Sequence, residues 1–293
     1  MKILLYNIKF NKVFSVSDVL RIDNFHSKDV LLTSDRNELH LADVVVFNLP
    51  QLGFNLRALP KRAGQIWVGW NLECEKNYPF LLSEELKSLI DVWMTYHPGS
   101  DVPIPYLNDE FPERIKNAPP SSGLKDVCIF ISSPVNNSRR LEYLTELMKH
   151  INIDSYGKFL HNTDLQGDSG YKVKQKVLSE YKFTIAFENA IYEDYVTEKF
   201  YDPLLSGSVP VYLGAPNIAE FTPGRNAFVD VRNFPNPKDL AVKLKLLCAN
   251  EQLLREFYRW KNEALNDRFT EIANKQNRNP FERLINYCIT NKI

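Results

Sequence analysis

Short apolar runs alternate with amphipathic helical patterns along the whole chain. Several of the runs are continuously apolar and β-branched, which is typical of strands buried on both faces of a parallel sheet. The alternation of strands and helices favours a parallel α/β architecture. We predict strands at Ile3–Ile8, Val44–Leu49, Gln65–Trp70, Val92–Tyr96, Val127–Ser132, Phe183–Glu188, Val209–Leu213 and Phe228–Val231.

Helical spacing of apolar residues is clearest in the second half of the chain. One helix is predicted directly after Ser138, whose hydroxyl suits an N-cap. Another begins at Asn236-Pro237, a cap residue followed by the proline that favours a first helical turn. Two more are predicted over Glu251–Phe269 and Pro280–Ile289.

A Pro-rich, uncharged stretch at 117–123 separates two regions that both have the α/β pattern. We interpret it as a linker, with a surface loop inside one domain as the alternative. The prediction is an N-terminal domain over 1–118, a C-terminal domain over 124–275, and a C-terminal helix in 276–293 that packs back on the N-terminal domain. Ligands of such folds gather at the carboxyl ends of the strands.

The charge balance excludes some partners. Lys plus Arg and Asp plus Glu both number 36, so we expect no nucleic acid partner.

The apolar run Ile3–Tyr6 is too short for a signal peptide or a membrane helix. We expect a cytoplasmic protein without an integral membrane segment, with peripheral contact at the inner face of the membrane left open. Scattered cysteines and histidines favour reduced thiols and no structural zinc site.

The segment Phe183–Asn217 concentrates the candidate chemistry. Its predicted strand ends in Glu188-Asn189, and polar groups at the end of a buried strand suit a ligand site. Lys199 stands in the first turn of a helix that starts near Thr197 and ends at Gly207. Backbone N–H groups and the helix dipole favour an anion there, and a lysine suits that end when it faces one. A surface lysine paired with Glu193 or Asp194 is the alternative.

The strings FEN-x5-YVTEK and GSVPVYLGAPN in this segment resemble the signature of the α1,3-fucosyltransferase family. Weaker resemblance extends from about residue 65 to about residue 234. It implies the GT-B fold, two Rossmann-like domains that face each other across a cleft, and inverting transfer of L-fucose from GDP-fucose. The resemblance places Asn189, Tyr195, Glu198 and Lys199 in the donor site. Lys199 would bind the pyrophosphate, and Glu198 the fucose hydroxyls or the positive charge that develops on fucose.

A second basic position follows the strand that ends near Ser132. The string SSPVNNSRR leads into the helix after Ser138. An arginine at a helix start can make two parallel bonds to a phosphate. In the family an arginine here binds the pyrophosphate, which points to Arg140, with Arg139 as the alternative. The chain has Ser133-Pro134 where the family usually has Ser-Asn.

The candidate base lies in the string WVGWNLECE. Inverting transfer needs one carboxylate to take the proton of the attacking hydroxyl. Glu73 follows a Trp-rich strand where the family carries a glutamate, so we predict Glu73 as the base, with Glu75 as the alternative. Two solvated loop carboxylates are the other interpretation. Trp67, Trp70 and Tyr78 would then be core, or an aromatic wall for a sugar.

No DxD string, the usual Mn²⁺ bridge of metal-dependent transferases, occurs in the chain. We therefore expect a transferase with neither cofactor nor metal, with GDP-fucose and an oligosaccharide acceptor as partners. The resemblance favours O3 of GlcNAc in N-acetyllactosamine-type glycans, as in Lewis antigens or lipopolysaccharide. Two alternatives stay open: a GT-B transferase with another nucleotide sugar, and a non-catalytic binder of sugar nucleotides or glycans.

Overall fold

The computed structural model describes residues 1–7, 30–52, 55–166 and 170–291. The chain forms two compact units. The first comprises Met1–Pro105 with Gln276–Ile293, and the second comprises Tyr106–Lys275. Ile8, at the end of the first predicted strand, lies outside the described residues.

The first unit is built on a five-stranded sheet in the order β2-β1-β3-β4-β5. All neighbouring strands are parallel, and apolar clusters pack on both faces of the sheet. A short helix, α1 (Glu84–Lys87), precedes the last strand. The strands are β1 (Lys2–Leu5), β2 (Leu31–Thr33), β3 (Val44–Asn48), β4 (Ile66–Asn71) and β5 (Val92–Thr95).

The second unit has a five-stranded parallel sheet in the order β10-β9-β8-β6-β7. Its strands are β6 (Lys125–Ile129), β7 (Asp154–Ser155), β8 (Tyr181–Phe187), β9 (Val209–Leu213) and β10 (Val229–Asp230). Its helices are α2 (Phe111–Asn117), α3 (Arg140–Leu147), α4 (Tyr171–Leu178), α5 (Glu198–Ser206), α6 (Pro237–Ala249), α7 (Glu251–Arg255) and α8 (Asp267–Asn274).

The last helix, α9 (Pro280–Thr290), packs in the first unit although it ends the chain. Its buried face joins the cluster that contains β4 and β5 side chains. The Phe281 ring meets Trp70 edge to face at 5.7 Å between centroids, and the Tyr287 hydroxyl donates to Asp101 at 3.0 Å. Apolar side chains of the helix predicted over Pro280–Ile289 are therefore part of a hydrophobic core.

The eight predicted strands are confirmed within a few residues. Strands β2 and β7 were not predicted. Both lie at sheet edges and are too short to show a recognisable pattern of apolar residues. The single helix predicted over Glu251–Phe269 is wrong. After α7 the chain forms a 3₁₀ turn over Glu256–Asn262, and Asn266 then caps α8 by accepting from the N–H groups of Arg268 and Phe269.

The division between the units falls at Pro105–Tyr106, earlier than the Pro-rich stretch at 117–123. The backbone of that stretch is tied to the second unit, since the N–H of Ser121 donates to the carbonyl of Gly207 at 2.8 Å. The preceding helix α2 also packs there, with Phe111 against Tyr201 at 5.8 Å between ring centroids. A loop that looks like a linker is thus part of a packed surface.

In the part of the chain that the structure describes, no helix combines the length and apolar character needed to cross a membrane.

Candidate functional site

Helix α5 starts at the carboxyl end of β8, where its first turn presents backbone N–H groups. Thr197 is the N-cap, and its hydroxyl oxygen accepts from the N–H of Lys199 at 3.4 Å. The helix ends at Gly207, which adopts a left-handed conformation with φ of 78°. Both predicted ends are confirmed, and the helix offers the local geometry that binds anions.

A fully buried carboxylate lies beneath this first turn. Glu188 follows β8 with 0 % exposure, and one of its oxygens accepts from the backbone N–H of Thr197 at 2.8 Å. The Thr197 hydroxyl donates to the other oxygen at 2.8 Å. A Cβ added to Gly214 would lie 2.7 Å from Cγ of Glu188, so only glycine at that turn leaves room for the acid.

Lys199 forms the cationic partner of this acid. Its Nζ lies 3.3 Å from Glu188 Oε2, 3.1 Å from Glu198 Oε1 and 2.9 Å from the Thr197 hydroxyl. Burial alone would lower the pKa of Lys199, but the two carboxylates raise it above its usual value, so the ammonium is charged at neutral pH. These acids differ from Glu193 and Asp194, the partners that the sequence left open.

Arg140 brings a second cation to the same place from α3. Its side chain is buried with 2 % of its surface exposed, and its NH1 donates to the carbonyl of Phe187 at 3.0 Å. Its NH2 donates to the carbonyls of Ser133 and Val135 at 3.2 Å and 3.1 Å. Burial lowers the pKa of Arg140, yet an arginine stays charged at physiological pH.

The two cations act on each other. The charge of Arg140 works to lower the pKa of Lys199, while Glu188 favours the charged forms of both. Within the described residues, Nε of Arg140 is a buried donor without a hydrogen-bond partner. Sequence stretches far apart in the chain therefore converge at the start of α5.

The loop between β8 and α5 is fixed by the turn after β9. Asp194 adopts a left-handed φ of 64°, and its backbone N–H donates to Asn217 Oδ1 at 3.0 Å. The Asn217 amide donates back to the Asp194 carboxylate at 2.9 Å. The Tyr212 hydroxyl contacts the carbonyl of Tyr195 at 3.4 Å. The GAPN part of the signature thus holds the loop that carries Tyr195.

Four of the predicted donor residues lie on this one loop and helix start, and the fifth, Arg140, reaches it from α3. Asn189 and Tyr195 are buried, Lys199 is partly buried with 22 % of its side chain exposed, and Glu198 is about half exposed. Glu188 is the residue that the sequence interpretation left out of the site. The signal was present, since an acid stood at the end of a continuously apolar strand.

The predicted N-cap of α3 is wrong. Ser138 does not cap the helix, because its hydroxyl donates to the carbonyl of Glu188 at 2.6 Å and its N–H donates to the carbonyl of Asn189 at 2.9 Å. Arg139 takes the cap position with φ of 59° and no side-chain cap bond. Its exposed guanidinium points to Glu142, 4.0 Å away, whereas Arg140 faces inward.

The candidate base lies in the first unit, just after β4. Glu73 is partly exposed, and its backbone N–H donates to Asn71 Oδ1 at 2.9 Å. Tyr78 lies near Glu73. Burial raises the pKa of the Tyr78 hydroxyl, and the negative charge of Glu73 raises it further. Trp67 and Trp70 are buried core residues, so the interpretation of those two as a sugar-facing wall is wrong.

Glu75, the alternative base, is buried. One carboxylate oxygen accepts from the Tyr96 hydroxyl, and the other lies 3.2 Å from Nε2 of His97 and 3.4 Å from the Asn71 amide nitrogen. Both oxygens are therefore engaged by side chains of this unit. Among the described residues, no group of three or more His, Cys, Asp or Glu side chains is arranged to hold a metal ion.

Two family models together match most of the chain. The model "Fucosyltransferase, N-terminal" matches residues 1–107, and "Glycosyltransferase family 10 (fucosyltransferase) C-term" matches residues 121–291.

Curated relatives carry fucosyltransferase names. The chain is 35 % identical over 232 residues to "GDP-fucose protein O-fucosyltransferase 3" of Xenopus laevis, a match that covers 71 % of this chain and 48 % of that protein. It is 31 % identical over 308 residues to "Alpha-(1,3)-fucosyltransferase B" of Drosophila melanogaster, covering 92 % and 66 %. The chain thus spans about half the length of the first of these relatives.

Solved structures share the fold. "Crystal Structure of alpha1,3-Fucosyltransferase with GDP" matches with a TM-score of 0.65 and 17 % identity, over 98 % of this chain and 89 % of that one. At this identity the likeness speaks for the fold alone, which is GT-B with two Rossmann-like domains. From the family models that cover both units, we conclude that the chain belongs to glycosyltransferase family 10, the fucosyltransferases.

Proposed function

We propose that this protein moves L-fucose from GDP-fucose to an acceptor hydroxyl, with inversion at the anomeric carbon. The observation that carries the proposal is the convergence of Lys199 and Arg140 at the first turn of α5. A diphosphate suits a place that offers two fixed cations at the N-terminus of a helix, where the helix dipole also favours negative charge. Family membership supports GDP-fucose as its source.

The donor side works by charge compensation. In the free protein the positive charges of Lys199 and Arg140 are offset by the carboxylates of Glu188 and Glu198. A diphosphate that binds here replaces carboxylate as the ion-pair partner of the Lys199 ammonium. Arg140 is held by three carbonyls and contributes a fixed positive charge. Glu198, partly exposed on the first turn, faces the fucose hydroxyls or the positive charge that develops at C1.

The acceptor side needs one proton acceptor. The Glu73 carboxylate takes the proton of the acceptor hydroxyl. At the same time the oxygen of that hydroxyl forms a bond to C1 of fucose, and the bond from C1 to the diphosphate breaks. GDP leaves with the electron pair of that bond, and the charge that grows on it is offset by Lys199 and Arg140. The released proton is thus accepted by Glu73, and the negative charge on the leaving GDP is offset by Lys199 and Arg140.

Two acceptor classes follow from the relatives. We propose O3 of GlcNAc in N-acetyllactosamine-type glycans first, in line with the relative named "Alpha-(1,3)-fucosyltransferase B". A serine or threonine hydroxyl of a protein is the second candidate, because a relative 35 % identical to this chain is named a protein O-fucosyltransferase.

A donor screen tests the function. We expect GDP to raise the melting temperature of the protein while UDP and CMP at equal concentration leave it unchanged, since binding to the native state stabilises it. Assays with GDP-[³H]fucose then compare LacNAc, lactose and an unstructured Ser/Thr peptide as acceptors. Stabilisation by UDP alone, or binding of GDP without transfer to any acceptor, would contradict the proposal.

Transfer is expected to survive chelation of metals. With EDTA in large excess over divalent ions, we expect the rate to stay within about twofold of the untreated rate, because two protein cations take the role of a bridging metal. Addition of Mn²⁺ after dialysis should not raise the rate further. Loss of activity in EDTA that Mn²⁺ restores would overturn this prediction.

A further inference from the structure

We propose that Glu75 is a positioning residue for Glu73, and that it acts through the side chain of Asn71. The inference rests on the proposed function, in which Glu73 takes the acceptor proton. It assigns a task to a buried acid that stands two residues beyond the base and that the transfer step does not use.

Glu75 is unsuited to take a proton from a substrate. Only 7 % of its surface is exposed, and its carboxylate accepts from the Tyr96 hydroxyl while it contacts His97 and Asn71. Three side chains hold the two carboxylate oxygens, so this cluster is a firm anchor. A firmly held acid is suited to orient its neighbours.

The anchor is rigid because it joins two adjacent strands. Asn71 is the last residue of β4 and pairs with Thr95, the last residue of β5, and Tyr96 and His97 follow directly. The rings of Tyr96 and His97 lie 4.2 Å apart, and the N–H of His97 donates to the Thr95 hydroxyl at 3.3 Å. Glu75 therefore ties the loop after β4 to the end of β5.

Asn71 transmits this position to Glu73. Its Oδ1 accepts from the N–H of Glu73 at 2.9 Å, and its Nδ2 donates to the carbonyl of Glu73 at 2.8 Å. The same Nδ2 lies 3.4 Å from Glu75 Oε1. Both peptide groups of the base are thus held by one buried amide, and that amide is oriented by Glu75. A base displaced by about 1 Å can lose about 100-fold in rate.

The test is a double-mutant cycle on the full chain. Glu75→Gln should lower kcat by about 10- to 100-fold, with the affinity for GDP and the acceptor KM within about twofold of wild type. The Glu73→Gln/Glu75→Gln double variant should be no slower than Glu73→Gln alone, because a residue that acts only through another adds no further loss. Glu84→Gln, which replaces an acid whose side chain is 88 % exposed, is the matched control and should behave as wild type.

A second variant covers the case in which Glu75→Gln does not fold. Asn71→Ala removes both bonds to Glu73 and keeps the contacts of Glu75 with Tyr96 and His97. It should show the same fall in kcat and the same lack of additivity with Glu73→Gln.

Three results would overturn the inference. If the fold-losses in kcat multiply in the double variants, Glu75 and Asn71 act independently of Glu73 and have a merely structural role. Wild-type kcat in both Glu75→Gln and Asn71→Ala would show that the base needs no such support. An inactive Glu75→Gln beside an active Glu73→Gln would make Glu75 the base. If the wild-type protein transfers no fucose to any acceptor, the proposed function fails instead.

Discussion

We expect Glu73→Gln to lower fucosyl transfer by roughly 10²- to 10⁴-fold, the contribution typical of a general base, and to leave GDP-fucose binding unchanged. The amide keeps the size and the backbone bonds of Glu73 to Asn71, so the loop stays in place while the proton acceptor is lost. Initial rates in the radiochemical assay measure the first effect. Isothermal titration with GDP-fucose measures the second.

Glu84→Gln is the control for this variant as well, since it removes one acid from the same unit at an exposed position. Near-wild-type transfer by Glu73→Gln would remove Glu73 from the mechanism. A parallel loss of GDP-fucose affinity would show that the substitution disturbs more than the proton transfer, because a base lost from the reaction alone changes kcat and not donor binding.

Lys199→Met is expected to weaken GDP binding by about 10- to 100-fold, as the loss of a charge-assisted contact worth about 1.5–3 kcal/mol implies. The substitution also leaves Glu188 buried beside no cation, which destabilises the fold. Burial already raises the pKa of Glu188, and without the opposing charge of Lys199 that pKa rises further, so the acid becomes protonated more readily.

The double variant Glu188→Gln/Lys199→Met separates these two effects. It removes both members of the buried ion pair, so it should recover part of the melting temperature while GDP binding stays weak. Lys176→Met, at an exposed position of α4 in the same unit, is the matched control for a lost lysine. Titration calorimetry with GDP gives the affinities. Wild-type affinity in the double variant would exclude Lys199 from the diphosphate site.

The extent to which the sequence predicts the site differs between the two units. In the second unit, Asn189, Tyr195, Glu198 and Lys199 lie within one strand-loop-helix segment, so local patterns and the family signature suffice to group them. The structure adds Glu188, whose effect depends on complete burial and on the space left by Gly214. In the first unit, the family resemblance favours Glu73 over Glu75 as the base, and the structure adds that Glu75 is buried and held by neighbouring side chains.

The sequence alone determined the parallel α/β class, the ends of helix α5 and the family, because periodicity, cap residues and a contiguous signature are local properties of a chain. Tertiary structure decided which acids are buried, which arginine turns inward and where the units divide. Those outcomes depend on side chains brought together from distant positions, such as Arg140 with Phe187 and Glu75 with Tyr96. Burial and pairing are properties of that assembled environment, and no spacing along the chain encodes them.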